Sequence, residues 1–138
     1  DIQIDFDAGG RRDPAGQGGL ATLAAGLTSK GLAARGSEPA LDENQLSEAW
    51  ADLGASFGGG ATSDRMSFSL RSLTYPDLLP RAVALAARQL AEPSFPEAIW
   101  QRERERIAFV TADYWDVDLL TATAPASSSC FASAMVSL

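Results

Sequence analysis

Apolar and polar residues alternate at the start of the chain. Ile2, Ile4 and Phe6 are separated by Gln3, Asp5 and Asp7, a period of two that predicts a half-buried strand. The period then changes. From Gly18 to Gly31, Leu20, Leu23, Ala24 and Leu27 recur at i, i+3, i+4 and i+7, the single apolar stripe of a helix. Glycines bracket this helix, and Gly31 is expected to stop it. Its other side carries Thr22, Ala25 and Gly26, also at i, i+3, i+4. The stretch from Ala8 to Gly18 is glycine-rich and contains Asp13-Pro14. It lacks the Gly-x-Gly-x-x-Gly and Gly-Lys-Ser/Thr patterns of phosphate loops, so it is expected to be a tight connection.

Further along, Leu32 to Leu41 predicts a loop with Gly36 and Pro39. Asp42, followed three residues later by Gln45, is the pattern of a capping box. The helix it opens directs Leu46, Ala49, Trp50 and Leu53 inward and stops at Gly54; Trp50 is expected to be a core residue. Ala55 to Leu73 predicts two strands. Phe57 lies in the first, ahead of Gly58-Gly59-Gly60, and Met66, Phe68 and Leu70 alternate with Ser67, Ser69 and Arg71 in the second. Three successive glycines weaken a strand and mark a bend or a close backbone approach.

Tyr75 to Ala91 predicts a helix with a wide apolar face of Leu78, Leu79, Ala82, Val83, Leu85, Ala86 and Leu90. Pro80 fits it only in the first turn. Ser94 with Glu97 is a second capping-box pattern, with Pro96 inside the start. Ile99, Glu103, Ile107 and Val110 then share one helix face. A carboxylate on that apolar stripe needs a partner, so Glu103 is expected to pair with Arg106 or another arginine.

Composition narrows the function classes. The 138 residues suffice for one compact domain with a core. A net charge of -7 argues against a nucleic-acid binder, which needs a basic face. No run of about 18 apolar residues is present, so no membrane-spanning helix is expected. Cys130 is the single cysteine, which excludes an internal disulfide framework. The chain has no histidine, so neither a serine triad nor Cys130 has the base that nucleophilic catalysis uses. Asp113, Asp116 and Asp118 lack the glycine and terminal glutamate of a calcium loop. Every lysine and arginine falls within residues 1–106. The chain opens in what reads as mid-strand, so a preceding segment is expected.

Four segments carry a resemblance. Ala8-Gly9-Gly10-Arg11-Arg12-Asp13-Pro14 precedes the first helix, and Leu53-Gly54-Ala55 closes the second. Thr62-Ser63-Asp64-Arg65 follows. Pro93-Ser94-Phe95-Pro96-Glu97 then opens a charged helix with Arg102-Glu103-Arg104-Glu105-Arg106. In that order they resemble the N-terminal part of an insulinase/pitrilysin-type zinc peptidase domain, the family of the mitochondrial processing peptidase, from about Ile2 to Ile107. The resemblance implies an α+β fold, an antiparallel or mixed sheet with helices packed on one face. It divides the chain into a partial peptidase-like domain, 1–112, and a divergent tail, 113–138, which a frame change or a truncation would explain.

Active members of that family carry His-x-x-Glu-His on the first helix. The matching positions are Thr22, Ala25 and Gly26, and the third ligand position is Val110. The resemblance therefore implies a homologue that is not an enzyme, with the family's zinc lost and no other cofactor. In the family the strand after Leu-Gly is an edge strand that substrate joins by backbone pairing, and an asparagine there helps hold the scissile carbonyl. Its matching position is Gly58, so Phe57, Gly58, Gly59 and Gly60 are the implied peptide-binding residues.

Inactive members pair with active ones around a peptide chamber. The implied role is thus a structural or peptide-holding partner subunit of an active peptidase, or a self-associating one. Two alternatives are a metal-dependent endopeptidase fragment that takes its ligands from elsewhere and a decayed product without a selected role. An arginine-, alanine- and glycine-rich composition fits a bacterial gene, and for a bacterial relative the periplasm is expected over the cytoplasm.

Overall fold

The structure, a computed structural model, describes residues 1–112, with side chains as far as Arg106. The alternating start forms strand β1 (Ile2–Phe6), and helix α1 follows at Leu20–Leu27. Two short strands, β2 (Gly31–Leu32) and β3 (Leu41–Asp42), lead into α2 (Glu43–Asp52). A hairpin of β4 (Ser56–Ala61) and β5 (Met66–Arg71) is followed by α3 (Leu79–Ala91) and α4 (Glu97–Ala112). The main sheet has the order β1-β5-β4, and both of its pairings are antiparallel, not mixed. Residues 113–138, with Asp113, Asp116, Asp118 and Cys130, and the side chain of Val110 lie outside the described residues.

Strand periodicity sets the two faces of the sheet. Met66, Phe68 and Leu70 are buried, whereas Ser69 between them is exposed. The helices lie on the buried side. Leu46, Trp50 and Leu53 of the α2 region meet Leu70 and, from α3, Ala82 and Ala86. Ala21 and Ala25 of α1 meet Met66 and Phe68. Leu23 and Leu27, on the far side of α1, meet Trp100 of α4. The outward face presents Gln3, Asp5, Ser67 and Ser69.

Aromatic rings tie these layers together. Trp50 stacks on Phe57 and Phe57 on Phe68, each at 5.8 Å between centroids. Phe6 meets Phe68 edge-on at 6.1 Å. One column of rings thus joins α2, β4, β5 and β1, in the offset and edge geometries that aromatic quadrupoles favour. Trp50 also donates its indole N–H to Oε1 of Gln89 at 2.9 Å, which satisfies a polar pair inside the core.

The three glycines do not bend the chain. All lie within β4, paired as Gly58↔Ser69, Gly59↔Phe68 and Gly60↔Ser67. The close approach falls on one of them. A Cβ at Gly59 would sit 2.3 Å from the Ser67 carbonyl oxygen and 2.4 Å from the Phe68 ring, whereas Cβ atoms at Gly58 and Gly60 would meet nothing within 4 Å. Gly59 is therefore the bare spot over which the Phe68 ring lies.

Several other expectations need correcting. The Asp42–Gln45 capping box forms, and Gly54 follows the end of α2 with a φ of 56°. Ser94 and Glu97 make no second box, because α4 starts at Glu97 and leaves no helical turn between them. Ser94 instead donates its backbone N–H to the Gly31 carbonyl. Gly31 is not the stop of α1. It belongs to β2, at a φ of 138°, where a Cβ would lie 2.8 Å from the Leu41 carbonyl oxygen.

The segment 32–41 is not all loop either. Gly31↔Asp42 and Leu32↔Leu41 pair as a ribbon, and Arg88 on α3 holds its neck by donating to the carbonyls of Ala33 (2.8 Å) and Pro39 (2.6 Å). α3 begins at Leu79, not Tyr75, which places Pro80 in the first turn, where its missing N–H costs nothing. Val83 faces solvent. Among the described side chains of α4, Trp100 is the most buried, and it lies beside the expected stripe rather than on it.

The glycines of β4 are predicted to respond unequally to one added methyl. Gly59→Ala overpacks the sheet against backbone and should cost about 1–3 kcal/mol, whereas Gly58→Ala and Gly60→Ala should be neutral or slightly stabilising. Urea midpoints of the three variants check this; equal midpoints would contradict it.

Candidate functional site

The site residues suggested by the sequence lie on α1 and on the strand beneath it. α1 opens with Gly19, at a φ of 91°, and that residue has no side chain to cap the helix. Asp13 in the preceding loop does so instead. Its carboxylate accepts from the N–H of Gly19 at 2.8 Å and of Ala21 at 3.0 Å. Burial pushes the Asp13 carboxyl above its usual range, and the backbone donors of Ala21, Gly19 and Leu20 pull the other way. The sequence signal for this cap was a glycine-opened helix with an Asp-Pro just upstream, at a longer spacing than a capping box uses.

Successive residues of α1 turn by about 100°. Burial on both flanks leaves only a narrow open strip. Thr22 and Gly26 are exposed, and Ser29 continues the strip one turn on. Ala25 does not share it. It is 2% exposed and packs with Ala21, Met66 and Phe68, with Phe57 and Ala61 alongside. Ala25 is thus closed off although its spacing puts it with Thr22 and Gly26, because α1 is wedged between the sheet and α4.

These residues do not fit zinc. Structural and catalytic zinc sites use at least three imidazole, thiolate or carboxylate donors. Thr22 offers a neutral hydroxyl, Ala25 a methyl group and Gly26 no side chain. Among the described residues no group of three or more His, Cys, Asp or Glu side chains is placed to hold a metal ion.

Glu103 has a role of its own. Its side chain is only 12% exposed, and it accepts from Arg106 at 2.8 Å and Arg102 at 3.2 Å. Burial works to raise its pKa. The hydrogen bonds from Arg106 and Arg102 and the charges of Arg106 and Lys30 outweigh that and hold the carboxyl below its usual range. Lys30 pairs in turn with Glu43 at 2.6 Å. The carboxylate thus joins a charge network that links α4 to the end of α1 and the start of α2, as its expected arginine pairing implied.

β4 borders the sheet. It pairs with β5 on one side, and among the described residues no strand pairs with its other side. In an antiparallel ladder alternate residues turn their N–H and C=O groups away from the partner, so part of the β4 backbone is directed to the open edge. Phe57 and Gly58 are half-buried, and Gly59 and Gly60 are exposed. A separate groove of about 680 Å³ is lined by Lys30, Leu41, Asp42, Glu43, Pro96 and Ile99, among others. Its charged groups are already committed, Lys30 to Glu43 and Asp42 to the N–H of Gln45.

No protein-family model and no curated protein matches the sequence. Solved structures do match. The inactive domain of an M16 peptidase from Pseudomonas fluorescens superposes with a TM-score of 0.69 and 28% identity, over 80% of this chain and 25% of that one. Pitrilysin matches with a TM-score of 0.59 and 26% identity, over 80% of this chain and 11% of that one. These likenesses support the M16 peptidase family. A protease from Helicobacter pylori shares the fold, with a TM-score of 0.59 at 17% identity, over 79% of this chain and 24% of that one. The chain spans a quarter or less of the length of each of these structures. The α+β architecture, an antiparallel sheet with helices on one face, is that of the M16 neighbours. Among the described residues no helix is long and apolar enough to cross a membrane.

The Glu103 network gives a pH prediction. A depressed folded-state pKa means that its stabilisation is full at neutral pH and is lost as the pH falls through that depressed value. Glu103→Gln should lower stability by about 1 kcal/mol at neutral pH. The gap from the wild type should close on acidification, as both side chains become neutral. Urea titrations of both proteins across the acid range test this, and a gap independent of pH would contradict it.

Proposed function

We propose that this chain is a catalytically inactive M16 homologue that serves as a structural or peptide-holding partner of an active peptidase subunit. The observation that carries the reading is the donor set on α1. Thr22 and Gly26 stand open to solvent without a ligating atom suited to zinc, and Ala25 is closed into the core. A hydrolytic water at this place would have neither a metal to lower its pKa nor a carboxylate or imidazole on this helix to take its proton. The likeness to a domain described as an inactive M16 peptidase domain supports the same reading.

Peptide holding needs none of those groups. An extended segment that adds to the open side of β4 gains backbone hydrogen bonds from the strand itself. Phe57, Gly58, Gly59 and Gly60 form the stretch it would meet. The wall behind that stretch is stiff, because the ring column runs through Phe57 and Phe68. Strand addition gives affinity without chemistry, which suits a subunit that presents or retains peptides while a partner cleaves them.

The purified protein is expected to contain no stoichiometric zinc and to leave unstructured peptides uncut, with or without chelator. It is expected to co-purify with a subunit carrying an intact His-x-x-Glu-His helix when the two are co-expressed. Metal analysis, a peptide hydrolysis assay and the co-purification check the reading. One equivalent of zinc with chelator-sensitive turnover would overturn it.

A further inference from the structure

We infer that the open edge of β4 selects extended peptides with bulky apolar side chains at alternate positions, through Gly58 and Gly60. The inference rests on the peptide-holding reading above and names the class of peptide held. It starts from the two faces of one short strand. On the inward face the Phe68 ring already occupies the place of the side chain that Gly59 lacks. On the outward face Gly58 and Gly60 are bare, and a Cβ at either would meet nothing within 4 Å. Their cross-strand partners, Ser69 and Ser67, are small as well. The protein itself thus displays how a ring laid over a strand glycine is accommodated, once on the inside, and leaves the equivalent outward places empty.

An incoming strand alternates its side chains between the same two faces. Those on the outward face come to lie beside Gly58 and Gly60, where no side chain competes for the space. A large ring or branched chain there covers exposed backbone and removes apolar area from water. β4 from Ser56 to Ala61 carries no charged residue. On the outward face, Arg71 of β5 stands opposite Ser56, two residues from Ser69, and pairs with Asp1, while Asp5 of β1 is separated from Gly60 by Ser67.

The test uses the full chain and two labelled synthetic peptides, one alternating Phe and Thr and one alternating Ala and Thr. Fluorescence anisotropy is expected to give about tenfold tighter binding for the Phe peptide. The double variant Gly58→Gln with Gly60→Gln fills the outward space with polar chains. It should have a urea midpoint no lower than that of the wild type and should abolish the preference for the Phe peptide over the Ala peptide. Equal binding of the two peptides by the wild type, or a Phe preference that survives in the variant, would overturn this inference while leaving strand addition standing. Failure of both peptides to bind would overturn the peptide-holding reading with it.

Discussion

The fold depends on one glycine and the ring above it. Because Gly59 has no side chain, Phe68 can lie flat against β4 and stack on Phe57. Phe57 in turn carries Trp50, and Phe6 closes the other end of the column edge-on. Dispersion between such rings and their removal from water supply the cohesion that three strands alone lack. The column crosses every strand of the main sheet and reaches α2. The polar tip of Trp50 is satisfied by Gln89 of α3, so the third layer is tied in by a directed bond as well as by contact.

α1 shows how the same packing narrows the open face of a helix. A helix with one buried stripe keeps a broad face open for ligands. This helix is held from two sides, by Ala21 and Ala25 on the sheet and by Leu23 and Leu27 on Trp100. What is left open is a strip of small residues, Thr22, Gly26 and Ser29. Its N-terminus, where a helix tends to attract anions, is taken by the carboxylate of Asp13. Charges that remain near the helix are paired with one another. Lys30, Glu43, Glu103 and Arg106 offset the cost of their partial burial by mutual contact.

With the chemistry absent from α1, the open feature of the described residues is the backbone edge of β4. Natural edge strands are commonly guarded by charges, proline or bulges. β1, at the other edge, carries Asp5 within the strand and is flanked by Asp1 and Asp7. β4 carries no such guard. The contrast between the two edges of one sheet is why peptide holding is proposed at β4 rather than at β1.

Residue order by itself determined the strands with period two, the start and apolar stripe of α1, the capping box and glycine stop of α2, and the arginine partner of Glu103. Each is a local matter, settled by neighbours within a few positions. It also determined the lack of donors at Thr22, Ala25 and Gly26, since side-chain chemistry needs no coordinates. Tertiary structure alone decided that Ala25 is closed while Thr22 and Gly26 are open, because that follows from two elements, β5 and α4, that arrive from far along the chain. It decided which of three identical glycines has no room for a side chain, because only the positions of Phe68 and the Ser67 carbonyl tell Gly59 from Gly58 and Gly60. It likewise decided the β2–β3 ribbon, where two residues on each side are too few to show a period, and their pairing is held by Arg88 from a distant helix.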